Sequence, residues 1–330
     1  MTPDAVRTEQ AAPEATDTGT LTVPRAGTGT VVRLRGLTKR YGQSTAVDDV
    51  DLTLRRGRIY GLIGKNGAGK TTLMRLIAGL SLPTSGAIEL FGSSASAPRQ
   101  EDLARIGTLI ETPTMDGNLT ARQNLHLHRL LRGIPDESLD EELLDLVGLT
   151  GVGRKRVRDF SLGMRQRLGI AVALVADPEL LVLDEPVNGL DPVGVVDVRT
   201  LVRQLSFERA ITVIVSSHNL PELYQTATDY VIIDRGRIRR TLTQEELESQ
   251  TQRSLHLAAA DPAQLVTVLE SALDSPELSV FPDGTVRLRS HLDDTERVLR
   301  ILVSHDVWPT RFVTEGETLE DYFLSVTGGE

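Results

Sequence analysis

Two short segments of the sequence carry residues whose types and spacing suit phosphate chemistry, and the first is rich in glycine. Residues 64–71 read GKNGAGKT and match the pattern G-x-x-x-x-G-K-[ST]. The glycines let backbone N–H groups turn inward around phosphate oxygens. Lys70 suits the β- and γ-phosphates, and the Thr71 hydroxyl suits Mg²⁺. The candidates of this segment, called the phosphate loop, are Asn66, Gly67, Ala68, Gly69, Lys70, Thr71 and Thr72.

A glycine-rich turn that arose by chance is the alternative for the phosphate loop, with a prior of roughly one in a hundred for a chain of this length. Here the match follows a short apolar run at residues 59–63 and opens an amphipathic stretch at residues 70–80. A strand before the loop and a helix after it favour phosphate binding, because the helix N-terminus then points at the anion. The helix is predicted to bury Leu73, Ile77 and Leu80 on one face.

The second segment is an apolar run that ends in two carboxylates. Residues 180–186 read LLVLDEP. Asp184 is predicted to lie where the strand leaves the sheet and to hold Mg²⁺ through water. Glu185 is predicted to accept a proton from the water that attacks the γ-phosphate. A buried strand followed by a solvated turn is the alternative, and the phosphate loop upstream disfavours it.

Alternating strands and helices are needed to bring these segments together. Short apolar runs predict strands at residues 31–34, 50–54, 59–63, 106–110, 180–184, 211–216 and 230–234, with helical patterns between most of them. Such an order predicts an α/β fold with a mostly parallel sheet covered on both faces. Residues 121–132 and 141–147 predict helices with no strand nearby, so a helical subdomain is predicted at about residues 112–165.

Residues 31–250 form the predicted α/β unit, and the two ends of the chain differ from it in their pattern of apolar residues. Residues 1–30 are poor in apolar side chains, so the sequence predicts a disordered N-terminal tail and no signal peptide. Residues 251–330 are predicted to form a C-terminal accessory or regulatory domain. Strands at 254–259, 278–281, 285–288 and 310–314, with helices at 262–273 and 295–304, give the order βαββαβ, which predicts a small ferredoxin-like α+β unit.

Composition narrows the class of partner. The 330 residues include 36 Lys and Arg against 46 Asp and Glu, a formal charge of −10. This acidic balance argues against a nucleic-acid partner, which usually binds a basic surface. The chain has no cysteine, which excludes disulfides and thiolate metal sites. No apolar run approaches the roughly 20 residues of a membrane-spanning helix, so any membrane role is expected to come through a partner chain.

Together with the two segments above, further motifs resemble those of the ABC ATPase family. The resemblance covers about residues 31–250. Residues 159–167, DFSLGMRQR, resemble the signature sequence, and residues 188–192, NGLDP, resemble the D-loop. Residues 216–218, SSH, resemble the switch histidine at the end of the next strand. Tyr41 stands where the family has an aromatic residue that stacks on adenine. The resemblance implies the P-loop NTPase fold of the ABC ATPases, with a mixed, mostly parallel sheet and an inserted helical subdomain.

The resemblance also implies where ATP binds. Family members form head-to-tail dimers that hold each ATP between the phosphate loop of one subunit and the signature helix of the other. By this resemblance Ser161 and Gly163 would contact the γ-phosphate, Asp191 belongs to the site through the D-loop, and His218 would hold the γ-phosphate in the hydrolytic geometry. The implied cofactors are ATP and Mg²⁺. The implied partners are a second ATPase subunit, expected to be a copy of this chain, and a separate transmembrane permease subunit at the cytoplasmic face of the cell membrane.

Several residues depart from the usual family pattern. Leu162 and Met164 replace a glycine and the glutamine of the signature, and Glu111 stands where most members have the Q-loop glutamine. These features, with NLTA at residues 118–121 and LEDYFL at residues 319–324, resemble the bacitracin and lantibiotic branch of bacterial exporters. The implied function is an ATP-binding exporter subunit, with the cargo and direction of transport left open.

Glu111 requires its own hypothesis. The resemblance implies that its loop reaches Mg²⁺ and the attacking water, where a carboxylate would be repelled by the γ-phosphate. Two unit charges about 4 Å apart interact by roughly 4 kcal/mol at an effective dielectric constant near 20. We therefore expect Glu111 to be a Mg²⁺ ligand, directly or through water, once the membrane partner closes this loop. A solvated loop glutamate is the alternative.

Two other functions stay open at this stage. Soluble ABC ATPases of translation usually have two cassettes, and those of DNA repair have long coiled coils, whereas this chain has one cassette and no sustained heptads. A regulatory module without activity is disfavoured by the presence of Lys70, Asp184 and Glu185. The basic stretch at residues 153–158, GRKRVR, is interpreted as a solvated rim of the helical subdomain rather than a nucleic-acid site.

Overall fold

The computed structural model describes residues 29–93, 99–111, 115–251, 253–316 and 319–327. The strands are β1 (Thr30–Tyr41), β2 (Ser44–Arg55), β3 (Ile59–Ile63), β4 (Ser85–Leu90), β5 (Ile106–Leu109), β6 (Leu180–Leu183), β7 (Thr212–Ser217), β8 (Asp229–Asp234), β9 (Arg237–Thr243), β10 (Ser254–Ala259), β11 (Leu278–Val280), β12 (Val286–Leu288) and β13 (Pro309–Glu315). The helices are α1 (Lys70–Ile77), α2 (Gln100–Ala104), α3 (Ala121–Leu131), α4 (Ser138–Leu146), α5 (Leu162–Leu174), α6 (Pro192–Arg209), α7 (Leu220–Tyr224), α8 (Gln244–Thr251), α9 (Pro262–Ala272), α10 (Thr295–Ser304) and α11 (Leu319–Thr327). Most of the predicted tail, residues 1–28, lies outside the described residues, and Thr30 already belongs to β1.

A six-stranded sheet in the order β5-β6-β7-β3-β8-β9 forms the centre of the chain. All neighbouring strands are parallel except β9, which runs antiparallel to β8. Every residue of β3, β6, β7 and β8 is buried, which explains their nearly continuous apolar runs. The predicted α/β fold with a mixed, mostly parallel sheet is therefore confirmed. Its parallel strands bring the segments after β3, β6 and β7 to one edge of the sheet.

The sequence prediction missed two strands and misplaced one helix end. β4 and β9 were not predicted, because β4 begins with exposed residues and most of β9 is exposed and polar. The helix predicted at residues 70–80 ends at Ile77, because Gly79 adopts a left-handed φ of +70° just after the helix. Leu80 was thus wrongly placed on the buried face, and its side chain is 63% exposed.

A second sheet and a helical region complete this unit. Strands β2, β1 and β4 form an antiparallel sheet in that order. Helices α3 and α4 lie between β5 and the signature segment, as predicted. A buried ion pair joins these two helices, with 3.2 Å between Arg129 Nε and Asp140 Oδ1. Arg129 also donates to the Ile134 carbonyl oxygen at 2.8 Å, so its buried charge is paired and hydrogen-bonded.

The C-terminal part of the chain has a separate hydrophobic core. Its four antiparallel strands lie in the order β11-β12-β10-β13, and α9 and α10 contribute apolar side chains to the same core. The element order βαββαβ is the predicted one. The ferredoxin-like classification of this unit stays a prediction.

The last helix does not join that small core. Tyr322 of α11 is 8% exposed and belongs to the hydrophobic core of the larger unit. Leu319, Phe323 and Val326 pack against the same core, and α11 contacts α7, α8, β8 and β9. The chain therefore returns to the larger unit after forming the small sheet. Among the residues that the structure describes, no helix is long and apolar enough to cross a membrane.

Candidate functional site

The phosphate loop surrounds a cavity of about 270 Å³ at the carboxyl edge of the central sheet. Two glycines of this loop have left-handed backbones, with φ of +80° at Gly67 and +107° at Gly69. A Cβ at Gly69 would lie 2.4 Å from the Ala46 carbonyl oxygen, so no larger residue fits there. The cavity is lined by Ala46, Lys65, Asn66, Gly67, Ala68, Gly69, Lys70, Thr71, Thr72, Asp184 and Glu185. All seven loop candidates from the sequence therefore line one cavity.

Lys70 lies across the loop with its ammonium group facing backbone oxygens. Its Nζ donates to the Gly64 carbonyl oxygen at 2.6 Å and to the Lys65 carbonyl oxygen at 3.4 Å. Lys70 is only 7% exposed. Burial lowers the pKa of its ammonium group, and the nearby Glu185 and Asp184 carboxylates oppose that shift. The group is thus a desolvated cation with few competing water molecules, which suits a phosphate.

Asp184 is held by hydroxyl groups from two other elements. Thr71 Oγ1 donates to Asp184 Oδ2 at 2.8 Å, and Ser216 Oγ donates to Asp184 Oδ1 at 2.6 Å. Mg²⁺ prefers hard oxygen ligands and is usually bound by one or two carboxylates together with substrate phosphates and water. The carboxylate of Asp184 and the hydroxyl of Thr71 fit this donor set beside the phosphate loop.

Glu185 and His218 form a second pair at the same edge. His218 Nδ1 lies 2.8 Å from Glu185 Oε2. With Glu185 ionised, Nδ1 must carry the hydrogen, because a carboxylate only accepts. The Glu185 N–H donates to Ser216 Oγ at 2.9 Å, and its backbone is left-handed with φ of +49°. Ser216 therefore contacts both the carboxylate of Asp184 and the backbone of Glu185, a role that the sequence did not predict.

The residues predicted to act from a second subunit do not line this cavity. Ser161 caps the N-terminus of α5 and accepts from the Met164 N–H. Asp191 likewise caps α6 and accepts from the Gly194 N–H. A Cβ at Gly163 would lie 3.7 Å from Leu190 Cδ2, so the signature and D-loop segments are close neighbours. Within one chain these three candidates thus form a separate surface.

Two further candidates also lie outside the cavity lining. Tyr41 is 49% exposed near the end of the β1–β2 hairpin, and Lys39 Nζ lies 4.9 Å from the centroid of its ring. Glu111 has a left-handed φ of +64° and forms an ion pair with Arg75 of α1. Arg75 is one helical turn after Thr71, so Glu111 is tied to the helix that begins at the phosphate loop. This pairing was not predicted from the sequence.

Comparisons with known proteins agree with this geometry. The family model described as ABC transporter matches residues 47–188. BcrA of Bacillus licheniformis, a bacitracin transport ATP-binding protein, is 39% identical over 300 residues, which are 91% of this chain and 98% of the relative. SrtF of Streptococcus pyogenes, a lantibiotic transport ATP-binding protein, is 40% identical over 208 residues, which are 63% of this chain and 89% of the relative. These relatives confirm the predicted resemblance to the bacitracin and lantibiotic branch.

Solved structures support the fold. The subunit cbiO1 of the ABC transporter complex cbiONQ from Clostridium perfringens superposes with a TM-score of 0.61 at 23% identity, over 67% of this chain and 92% of that chain. A dimeric ATP-binding cassette in a post-hydrolysis state with ADP and Pi gives a TM-score of 0.58 at 23% identity, over 64% of this chain and 98% of that chain. With the sequence relatives and the phosphate-loop geometry, these findings identify the chain as a member of the ABC transporter family, one of its ATP-binding and ATP-hydrolysing subunits.

Proposed function

We propose that this chain hydrolyses ATP to drive export through a separate membrane subunit. The observation that carries the proposal is the pair of contacts beside the phosphate loop, Thr71 with Asp184 and Glu185 with His218. In this scheme Lys70 and the loop N–H groups bind the β- and γ-phosphates. Thr71 and Asp184 would hold Mg²⁺, which supplies positive charge beside the phosphates when it is bound.

Glu185 has the position of a general base in this scheme. Its carboxylate would accept a proton from the water that attacks the γ-phosphate. His218 would orient that carboxylate through the hydrogen bond at 2.8 Å and also contact the γ-phosphate. The Ser216 hydroxyl accepts from the Glu185 N–H and so helps to fix the backbone from which this side chain extends.

The proposed working state is a head-to-tail dimer of two copies of the chain. Ser161 and Gly163 at the start of α5, and Asp191 at the start of α6, would complete the ATP site of the partner subunit. A helix N-terminus favours an anion, which supports Ser161 and Gly163 as γ-phosphate contacts. Tyr41 would stack on the adenine ring, since its exposed face is available to a planar ligand.

Transport is proposed because the bacitracin and lantibiotic relatives are named transport proteins, and export because the chain resembles the exporter branch of the family. The permease would hold the chain at the cytoplasmic face of the membrane, where ATP is supplied. No nucleic-acid partner is proposed, given the formal charge of −10. In this proposal residues 31–250 form the ATPase unit, with its helical subdomain at about residues 112–165. Residues 251–330 form an accessory unit whose last helix packs against the ATPase core.

Isolation of the chain from its own membranes tests the transport function. A chain with Glu185→Gln should stay in the ATP-bound state, and we expect it to co-purify with a protein that has several membrane spans, in a fixed ratio. A chain with Lys70→Ala, in which ATP binding should be strongly weakened, is the matched control: it shows which features of that complex depend on bound ATP. Recovery of the Glu185→Gln chain only with ribosomes, or only as a free soluble dimer, would contradict the transport function.

Replacing Glu111 tests its proposed link to Mg²⁺. We propose that closure of the loop by the permease moves Glu111 from Arg75 toward the Mg²⁺ side of the site. Glu111→Gln should then raise the Mg²⁺ concentration for half-maximal ATPase activity of the transporter complex, with a smaller effect on ATP affinity. Glu111→Ala should weaken transport more than the hydrolysis of the isolated chain.

A control variant separates the proposed Mg²⁺ role of Glu111 from its ion pair with Arg75. Arg75→Gln removes the partner of Glu111 but keeps the carboxylate, so its Mg²⁺ dependence should stay close to that of the unmodified chain. Unchanged Mg²⁺ dependence and unchanged transport in both Glu111 variants would instead favour a solvated loop glutamate.

A further inference from the structure

A second cavity, of about 570 Å³, lies at the opposite end of the central sheet from the phosphate loop. Its lining includes Arg58, just before β3, and Thr228, just before β8. Residues of α6, α7 and α8 close its sides. We name it the arginine cavity, because its lining also includes Arg199 and Arg203 of α6. Its volume is within the range of small-molecule sites, which is about 300–1,000 Å³.

Arg199 and Arg203 lie one turn apart on α6, and both donate hydrogen bonds to Gln225. Arg203 Nη1 donates to the Gln225 carbonyl oxygen at 2.8 Å, and Arg199 Nη1 donates to Gln225 Oε1. In the described part of the chain, neither guanidinium forms an ion pair with a carboxylate. Like charges at this spacing repel each other on a helix. Burial lowers the pKa of Arg203, and the neighbouring charge of Arg199 lowers it further. The pair is therefore a partly desolvated double positive charge that no described carboxylate contacts directly.

The other charged groups near the cavity form no direct ion pair with Arg199 or Arg203 among the described residues. Arg58 Nη1 lies 3.0 Å from both carboxylate oxygens of Asp229, while Arg58 Nε is buried and has no hydrogen-bond partner among the described residues. On the wall formed by α8, Glu248 accepts from Tyr224 Oη and Gln244 Nε2, both at 3.0 Å. Glu245 is exposed to solvent. The described carboxylates near the cavity thus contact groups other than this pair, whereas Arg199 and Arg203 contact the oxygens of Gln225, and Arg203 also lies 5.5 Å from the centroid of the Phe207 ring.

We propose that the arginine cavity binds a small molecule through a phosphate or carboxylate group held by Arg199 and Arg203. Two guanidinium groups present forked donors that match the oxygens of either anion. The bound anion would replace the Gln225 side chain on Arg199. This site is separate from the ATP site and does not depend on the proposed transport function.

Anion titration of the full-length chain tests the proposal. The ATP site is first saturated with a non-hydrolysable ATP analogue and Mg²⁺, so that the phosphate loop cannot bind the probe. Inorganic phosphate and succinate are then titrated separately by calorimetry. We expect one further anion to bind per chain. Tighter binding of phosphate would assign the natural ligand to the phosphates, and tighter binding of succinate would assign it to the carboxylates.

Variants link that binding to the cavity. Arg199→Gln with Arg203→Gln should weaken the binding by at least about tenfold, the effect of losing charge-assisted hydrogen bonds. Arg297→Gln with Arg300→Gln removes the same charge from the exposed α10 and should leave the affinity unchanged. Gln225→Ala keeps both arginines, removes the competing amide and should tighten binding. Absence of a further anion site in the unmodified chain, or equal affinity in all variants, would overturn the proposal.

Discussion

Glu185→Gln should lower the rate of ATP hydrolysis by roughly 10²–10⁴-fold, the usual contribution of a general base. ATP binding should persist, because the amide has nearly the same shape and its oxygen can still accept from His218. The phosphate loop, Lys70 and the Thr71–Asp184 pair would remain in place. With hydrolysis blocked, the ATP-bound dimer should accumulate. Single-turnover hydrolysis and size-exclusion chromatography with ATP measure both effects.

A neighbouring carboxylate provides the matched control for this variant. Glu222 is near both His218 and Glu185, and burial raises the pKa of its carboxyl group. It does not line the ATP cavity, and its side chain accepts from Asn219 Nδ2 at 2.8 Å. Glu222→Gln should therefore retain turnover close to that of the unmodified chain. Turnover near normal in Glu185→Gln, or an equal loss in both variants, would exclude Glu185 as the base.

Lys70→Ala should weaken ATP binding by about 30- to 5,000-fold, which corresponds to about 2–5 kcal/mol for truncating one partner of a buried charge pair. We expect this loss because the desolvated ammonium group of Lys70 joins the two ends of the phosphate loop through the Gly64 and Lys65 carbonyl oxygens. Its loss removes both a phosphate ligand and a contact that shapes the loop. Equilibrium binding of a fluorescent ATP analogue gives the affinity.

Lys65→Ala is the control for this second variant. Lys65 lies in the same loop and lines the same cavity, but it is exposed. Its carbonyl oxygen, which accepts from Lys70, is kept in the alanine variant. We therefore expect a much smaller loss of affinity, of the kind seen for solvated charges. Equal losses for Lys65→Ala and Lys70→Ala would mean that general positive charge, rather than the position of Lys70, binds the phosphates.

The central strands could be predicted from sequence because burial on both sides makes them apolar throughout. The prediction of β3 matched its observed bounds, and β6 and β7 differed by a residue or so at their ends. The exposed and polar strand β9 has no comparable pattern, since its position depends on pairing with β8. The apolar periodicity likewise predicted a helix that continues past Gly79. The backbone conformation of Gly79, which the apolar spacing does not reveal, ends the helix earlier.

The sequence identified the cavity residues better than the contacts between them. Lys70, Asp184 and Glu185 follow strands whose carboxyl ends meet at one edge, so strand order alone brings them together. Ser216 was not predicted as their support, because its bonds to Asp184 and Glu185 join residues 32 and 31 positions apart. The pairing of Glu111 with Arg75 spans 36 positions and was missed for the same reason.

In the proposed dimer, each ATP site combines the phosphate loop of one subunit with the signature helix of the other. Defined mixed dimers test it, built from differently tagged subunits that all carry Glu185→Gln to retain ATP. Lys70→Ala disables a phosphate loop, and Ser161→Arg blocks a signature helix. When the two substitutions are on different subunits, one site stays intact, and we predict one ATP per dimer that is retained after free nucleotide is removed. When both are on the same subunit, both sites are damaged. The remaining phosphate loop then binds ATP only reversibly, and we predict no ATP retained after free nucleotide is removed. The reverse pattern, with ATP retained only when both substitutions share a subunit, would contradict the claim.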